Sequence, residues 1–545
     1  MEKQIYKQFI SKKKLLIIFL VGLIGIGVGL DALNPFLFGQ IIDVIVSNEV
    51  KEFGYWIVLL AILLIVIQIV GMTEGLVGQW LVSSCENDMK VKYMKRILQI
   101  RNKEIEKYEN GELLNRLEFD TEVIVNYYID LISSILMIVI NLSVSLYFIF
   151  FISLKLSAIA FIFFPLIFLV NISFKGMIRK VGKSQKELND CYYNYLNMIF
   201  SHLNPIKAFQ IQNQISETFR QFLKRKLYIE IKGSCLSSFA SALRGILTAA
   251  MSVTLLVIAG RSIMQGIMTV GSLVAFNSYL EKLSEAVGKI LELNLNRQNV
   301  FVSFERLEEL ENMVLESEME GKEEIGERIS ALLFENVHFS YGEYPALNGL
   351  SFSLREPGLY SFVGENGCGK TTLLKVVERF WDVDSGHVII NGKDIRSYCL
   401  DSLRSRCVYI AKEVFFIQDT VFQNLRISRV GVTEAEMIEA CKKTGIHEKI
   451  MELPNKYETV IEGDGKNFSS GQKQKLSFAR VLLAEAELIL LDEVTSDLDK
   501  VSEIQICDLI EEISESAIVI NVSHKPESIK RSKEVFTMEA GAIVR

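Results

Sequence analysis

The sequence predicts an all-α, six-helix transmembrane domain over residues 1–300. An acidic linker over 301–328 and an α/β P-loop domain over 329–545 are expected to follow. Three observations carry that expectation. Every long apolar run falls in the first 300 residues. The charge divides with them: residues 1–300 carry 31 Lys+Arg against 23 Asp+Glu, and residues 301–545 carry 28 against 43. The second part alone holds a glycine loop set between a predicted strand and a predicted helix.

The 545 residues are 50% apolar and 23% charged, with a net charge of −7. The mean hydropathy of +0.27 is high for a soluble protein and low for one made of membrane helices alone. It is an average over two unlike parts, of net +8 and net −15. The apolar content excludes a disordered chain, and 7 Pro exclude a collagen-like one. Eight Cys in this length is ordinary density and argues against a secreted disulfide scaffold.

The apolar runs lie at about residues 15–46, 55–82, 129–152, 154–172, 239–259 and 270–290. Each is near or above the roughly 20 residues a helix needs to cross a bilayer. Helices are the expected form, because lipid offers no partner to an exposed backbone N–H or C=O. Six such runs in under 300 residues argue against buried helices of a soluble protein. The last run is the weakest, because Glu281, Lys282, Glu285 and Lys289 crowd its second half. The first is too long for a cleaved signal and lacks a small-residue cleavage pattern.

The basic residues sit in particular connections. Lys3, Lys7 and Lys12 to Lys14 precede the first run. Eight Lys and Arg lie over residues 90–116 and eleven over residues 175–232. The other connections are short and carry few charges. Positive-inside logic then places both termini and the two long connections in the cytoplasm. Those connections are too long for turns and read as helical extensions of the spans. Their scatter argues against a nucleic-acid face, which gathers its cations on one surface. Within or near the spans, Asp31, Asn34, Gln68, Glu74 and Gln79 either face a cavity or bond between helices.

The linker segment, residues 305–328, holds 10 Glu against 3 Lys+Arg and reads as a solvated charged stretch. Beyond it, short β-branched runs alternate with helical stretches, the pattern of an α/β domain.

The sharpest motif is Gly364, Glu365, Asn366, Gly367, Cys368, Gly369, Lys370 and Thr371, which fits G-x-x-x-x-G-K-[ST]. A strand over 359–363 precedes it and a helix beginning at Thr372 follows. The glycines let backbone N–H groups converge on phosphate oxygens, and the helix N-terminus favours the anion. Lys370 reaches the β- and γ-phosphates of a nucleotide, and the Thr371 hydroxyl ligates Mg²⁺. The second piece is a run of four apolar residues, 488–491, ending in Asp492 and Glu493. It reads as a buried parallel strand with acids at its C-terminal end, where α/β sheets bind ligands. Asp492 suits Mg²⁺, and Glu493 suits the general base that polarises a water.

Between these two motifs stand Phe468, Ser469, Ser470, Gly471 and Gln472, followed by a helical stretch. This peptide is similar to the LSGGQ signature. Over nearly its whole length the chain resembles an ABC transporter of the exporter type, a half-transporter with its membrane domain fused ahead of its ABC nucleotide-binding domain. The resemblance implies ATP as substrate with Mg²⁺, hydrolysed to drive export across the cytoplasmic membrane. It implies that Ser469, Ser470, Gly471 and Gln472 contact a γ-phosphate held by another subunit. One glycine loop and one signature then cannot complete a site within one chain. Two half-transporters, identical or different, must pair head to tail around two ATP molecules. Tyr341 matches the aromatic that stacks on adenine, Asp499 the D-loop aspartate within residues 496–499, and His524 the switch histidine at a strand end. Transmission to the membrane domain is expected through the tips of the two long connections, residues 101–116 with Gly111 and about 195–210, where residues 204–209 resemble a coupling segment of the family.

Three positions depart from the family pattern. Lys412 stands where a glutamine is usual, and an ammonium accepts no hydrogen bond and repels Mg²⁺. Either it points away or the site is tuned differently. Phe468 and Ser470 replace Leu and Gly. A regulatory or partly degenerate subunit of a heterodimer, and a nucleotide-gated membrane protein that does not transport, stay open as alternatives. Cys368 reads as structural filler before it reads as a redox site, and no Cys pair has metal-ligand spacing. The first span opens near Leu15, so a preceding peptidase domain and leader-cleaving peptide export by this chain alone are not expected.

Overall fold

The computed structural model describes residue 9 and residues 11–108, 110–319, 321, 323–496 and 498–544. Lys3 and Lys7 lie outside the described residues. The chain forms two compact units, one of residues 1–91 and 115–308, the other of residues 92–114 and 309–545.

Six long helices build the first unit: α1 (Lys14–Ser47), α2 (Val50–Ile97), α3 (Thr121–Ile152), α4 (Leu154–Ser201), α5 (Gln212–Met264) and α6 (Val270–Asn312). The apolar runs nucleate them, and α2, α4 and α5 continue as helix far beyond those runs, as the basic connections require. Left-handed Asn48 closes α1, and the Ser153 hydroxyl accepts the Leu156 N–H to start α4. Helices α1 to α5 are each long and apolar enough to cross a membrane. The sixth apolar run also folds as a 43-residue helix, but its charges keep it below that standard.

Packing explains how α6 carries those charges. Lys282 donates to Asp31 of α1, and the Tyr279 hydroxyl donates to the Ala32 carbonyl at 2.9 Å. Asp43 of α1 accepts the Gly271 N–H at 2.7 Å and the Thr269 hydroxyl at 2.7 Å. A Cβ on Gly271 would stand 1.9 Å from the Gly39 carbonyl oxygen, so the two backbones touch through paired glycines. Asp31 is thus a helix-to-helix partner. Gln79 bonds within α2 to Ser83 at 3.2 Å.

In the second unit, residues 92–114 pack with the last turn of α6 and the segment after it. The Arg96 guanidinium donates to the carbonyls of Leu310 at 2.8 Å and Met313 at 3.2 Å, and Arg101 pairs with Asp382 at 2.6 Å. The acidic linker is engaged rather than simply solvated. Glu311 pairs with Lys92, Glu316 takes both arms of Arg404 at 2.7 and 3.0 Å, and Leu310, Met313 and Ile325 are buried. Apolar positions among the glutamates gave the segment a face to bury.

The rest of the unit carries two sheets. One is antiparallel, in the order β2 (Tyr344–Leu354), β1 (Leu332–Tyr341), β4 (Ser385–Ile390), β5 (Lys393–Asp394). The other runs β10 (Ala542–Val544), β9 (Glu534–Glu539), β3 (Gly358–Gly364), β8 (Ile518–Val522), β7 (Leu488–Asp492), β6 (Cys407–Ile410). Its strands β9, β3, β8, β7 and β6 are parallel. Every residue of β7 and β8 is buried, as expected of strands covered on both faces. Helices α7 (Lys370–Val377), α8 (Ser470–Ala484) and α9 (Lys500–Ser514) lie against this sheet. A helical layer over residues 421–451 packs on α8 through Met437, Cys441 and Leu476.

Candidate nucleotide-binding site

Strands β3, β7 and β8 are adjacent and parallel, so their C-terminal ends release three segments at one edge. From β3 comes the glycine loop, from β7 come Asp492 and Glu493, and from β8 comes His524. Motifs more than 100 residues apart in sequence therefore meet.

The loop from Gly364 to Gly369 ends at α7, and Gly369 caps it with φ +103°. A Cβ there would lie 2.3 Å from the Ala346 carbonyl oxygen. Glycine is required twice over, by the backbone angle and by the close approach. Lys370 is 6% exposed, and its ammonium donates to the carbonyls of Gly364 and Glu365, both at 2.8 Å. The loop thus folds round its own cation. Cys368 is buried beside it, while Glu365, Asn366 and Gly367 face solvent.

The Thr371 hydroxyl donates to Asp492 Oδ1 at 3.1 Å. The Tyr409 hydroxyl of β6 donates to the other oxygen at 3.2 Å. Burial pushes the Asp492 carboxyl up, against the lowering effect of these two bonds. Burial also drives the Tyr409 phenol up, further raised by Asp492 beside it. These hard oxygen donors suit Mg²⁺, which takes one or two protein ligands and fills its sphere with water and phosphate. Among the described residues no group of three or more His, Cys, Asp or Glu is placed to hold a metal ion.

Glu493 holds φ +51°, a left-handed angle unusual for a non-glycine, and its N–H donates to the Val522 carbonyl at 2.9 Å. Its carboxylate faces two basic side chains. Lys412 Nζ donates to Oε2 at 2.8 Å, and His524 Nε2 lies 3.8 Å from Oε1. The Lys412 hydrogen bond holds the Glu493 carboxyl below the usual carboxylate range. The departure at position 412 is thereby resolved: Lys412 points into the site and pairs with Glu493.

One cavity of about 360 Å³ is lined by Tyr341, Tyr344, Pro345, Ala346, Asn366, Gly367, Gly369, Lys370, Thr371, Thr372 and Glu493. Tyr341 meets Phe339 and Trp381 edge-on at 4.9 and 5.2 Å between ring centroids, which fixes its ring. The Thr372 hydroxyl lies 3.5 Å from the Tyr341 hydroxyl. Sequence reasoning missed Tyr344, Trp381 and Tyr409. All three read as ordinary strand or core aromatics, and only the fold shows what they touch.

The signature residues lie elsewhere. Ser469 caps α8, its hydroxyl accepting the Gln472 N–H at 3.3 Å while the Gln472 side chain accepts the Ser469 N–H at 2.9 Å. Gly471 opens α8 with Ser470, and neither Ser469, Ser470, Gly471 nor Gln472 lines the glycine-loop cavity. Ser470 instead lines a cavity of about 460 Å³ with Lys412, Glu413, Val414, Phe415, Lys473 and Gln474. Asp499 caps α9 through the N–H groups of Val501 and Ser502, at 3.2 and 3.3 Å, and hydrogen bonding first from the Ser502 side chain and then from these N–H groups holds its carboxyl low. Asp497, within the same D-loop segment, lies outside the described residues.

Residues 15–287 match the family model described as ABC transporter transmembrane region, and residues 347–496 match the one described as ABC transporter. A relative in Bacillus subtilis (strain 168), carrying the name multidrug export ATP-binding/permease protein, is 26% identical over 99% of this chain and 95% of its own length. A Staphylococcus aureus (strain NCTC 8325 / PS 47) protein of the same name is 26% identical over the same shares. An ATP-dependent lipid A-core flippase of Syntrophus aciditrophicus (strain SB) is 26% identical over 93% of this chain and 85% of its own.

Proposed function

We propose, from the premise that this chain belongs to the ABC transporter family as an exporter-type half-transporter that couples ATP hydrolysis to transport, that it works as one half of a dimer with two ATP sites shared between chains. The observation that carries this reading is a separation. The glycine loop and Glu493 share one cavity, and the signature residues of the same chain line none of it. A second half-transporter, identical or different, would bring its Ser469-type cap to the γ-phosphate bound here.

In the proposed step, a water oxygen attacks the γ-phosphorus and its proton passes to the Glu493 carboxylate. The bond from the γ-phosphorus to the bridging oxygen breaks, giving ADP and phosphate. Lys370, already desolvated, exchanges its loop carbonyls for phosphate oxygens. His524 stands at the β8 end to bond the γ-phosphate, and Tyr341 offers a fixed ring to the adenine. Thr371 and Asp492 would hold Mg²⁺, which neutralises phosphate charge when bound. ATP favours the closed dimer over the open one, and that difference in affinity moves the membrane unit between its two facings.

Positive-inside charge supports a cytoplasmic ATPase unit and cytoplasmic termini in the cell membrane. The names of the relatives support an amphipathic cargo, a drug-like molecule or a lipid. The test is Glu493→Gln in the assembled transporter. Loss of ATPase activity by about 100-fold or more is expected for removal of a general base. Unchanged turnover would place the base elsewhere. The Lys412–Glu493 pair also favours a second reading, a subunit whose partner does most of the hydrolysis. ATPase assay of this chain purified alone separates the two: turnover sustained without a partner rejects the second.

A further inference from the structure

We propose that Lys412 is a positioning residue of the hydrolytic reaction, a latch that ties up Glu493 until the loop carrying Lys412 moves. This rests on the reading of Glu493 as the base. A carboxylate takes a proton from water through a free oxygen. Here Oε2 accepts the Lys412 ammonium at 2.8 Å, and Oε1 faces His524 at 3.8 Å. The strained backbone at Glu493 and its N–H bond to Val522 hold the side chain at this spot, so the cation must leave rather than the base.

What moves the cation is written in its anchors. The Lys412 carbonyl accepts from Gln474 Nε2 at 3.1 Å, and the Phe415 carbonyl accepts from Arg480 Nη1 at 2.6 Å. Both donors sit on α8, the helix that the signature residues begin. Glu493 instead follows β7, in the central sheet. A shift of α8 against β7 withdraws Lys412 from Glu493 and frees the carboxylate. The cavity between the 412–415 loop and the start of α8, with Phe415 68% exposed at its rim, leaves room for that shift. The latch lowers idle turnover, because hydrolysis waits for the movement of the helix that contacts the partner's nucleotide.

The ion pair is half open to water, so its effect is modest. The assay is steady-state ATPase of the full-length assembled transporter in lipid nanodiscs without cargo. Lys412→Gln and Lys412→Met are expected to raise kcat about two- to fivefold. KM for ATP and the affinity for a fluorescent ATP analogue without Mg²⁺ are expected to stay within about twofold, since the pair touches the base and not the phosphate loop. Lys412→Arg, which keeps the cation, is expected to keep the low rate. A fall or no change in kcat for the Gln and Met variants overturns the latch, and so does a rise with Arg. Glu493→Gln distinguishes the two levels: retained turnover in that single variant sinks the base assignment itself, while its loss together with unchanged Lys412 variants sinks only the latch.

Discussion

Replacing Gly369 by Ala tests the glycine loop at the point where backbone angle and packing coincide. The residue sits at φ +103°, and a Cβ would stand 2.3 Å from the Ala346 carbonyl oxygen and 3.1 Å from Leu347 Cδ2. The backbone strain costs about 1–3 kcal/mol. The clash is with backbone, so relieving it costs about 1 kcal/mol more. A total of about 2–4 kcal/mol is too little to unfold the unit but falls on the loop that ATP must find ready. At about 1.4 kcal/mol per tenfold, affinity should drop roughly 30- to 700-fold. Gly367→Ala is the matched control. It has φ +84° but nothing within 4 Å of its Cβ, so only the strain operates. Its loss should be about 5- to 100-fold, at least several-fold smaller than at Gly369. The assay is equilibrium binding of a fluorescent ATP analogue to detergent-purified chain, with a melting curve to show that each variant is folded. Equal losses at the two positions, or a Gly369→Ala affinity within threefold of the parent, would refute the close-approach argument.

Two further predictions concern stability. Glu378 is 4% exposed, and burial pushes its carboxyl up to about 7, against the lowering effect of Arg404. Its folded pKa lies above the unfolded one, so its stability contribution is full below the unfolded pKa and is lost as pH rises through about 7. The loss is of order 3 kcal/mol, and Glu378→Gln should flatten the decline in melting temperature between pH 5 and about 8. A variant that declines as steeply as the parent would assign the pH dependence elsewhere. Asp499→Ala removes the cap of α9 and should cost about 0.5–2 kcal/mol, read as a lower midpoint in urea. A midpoint unmoved by that change would mean that water replaces the cap at no cost.

Much of the site was legible in the sequence because its chemistry is local. The glycine loop, the buried strand ending in Asp492 and Glu493, and the Ser469 cap each need only neighbouring residues to be recognised. What pairs across long separations was not. Position 412 could be read as an unusual lysine, but Glu493, its partner, lies 81 residues away. Tyr409 looks like any strand aromatic until β6 is placed beside β7. In the membrane unit, the four charges in the second half of the sixth run weakened it as a sequence signal. Asp31, which pairs with Lys282, and Gly39, which meets Gly271, sit in the first run, far along the chain. Residues 101–116 were expected to act as a coupling tip, and the helix end just before them does something else. There Arg96 binds the carbonyls of the linker.

Helix α5 runs for 53 residues without a break. At about 1.5 Å per residue that is roughly 80 Å, more than twice the thickness of the hydrocarbon layer it crosses. A rod of this length acts as a lever arm. A tilt of about 10° about one end carries the other through some 14 Å, comparable to the width of a drug-sized molecule. Small angular errors where the helix begins, near Gln212, become large displacements at Met264. Stiffness along α5 therefore matters as much as any contact at its tips, and a proline near its middle should uncouple ATP turnover from transport while leaving both ends folded.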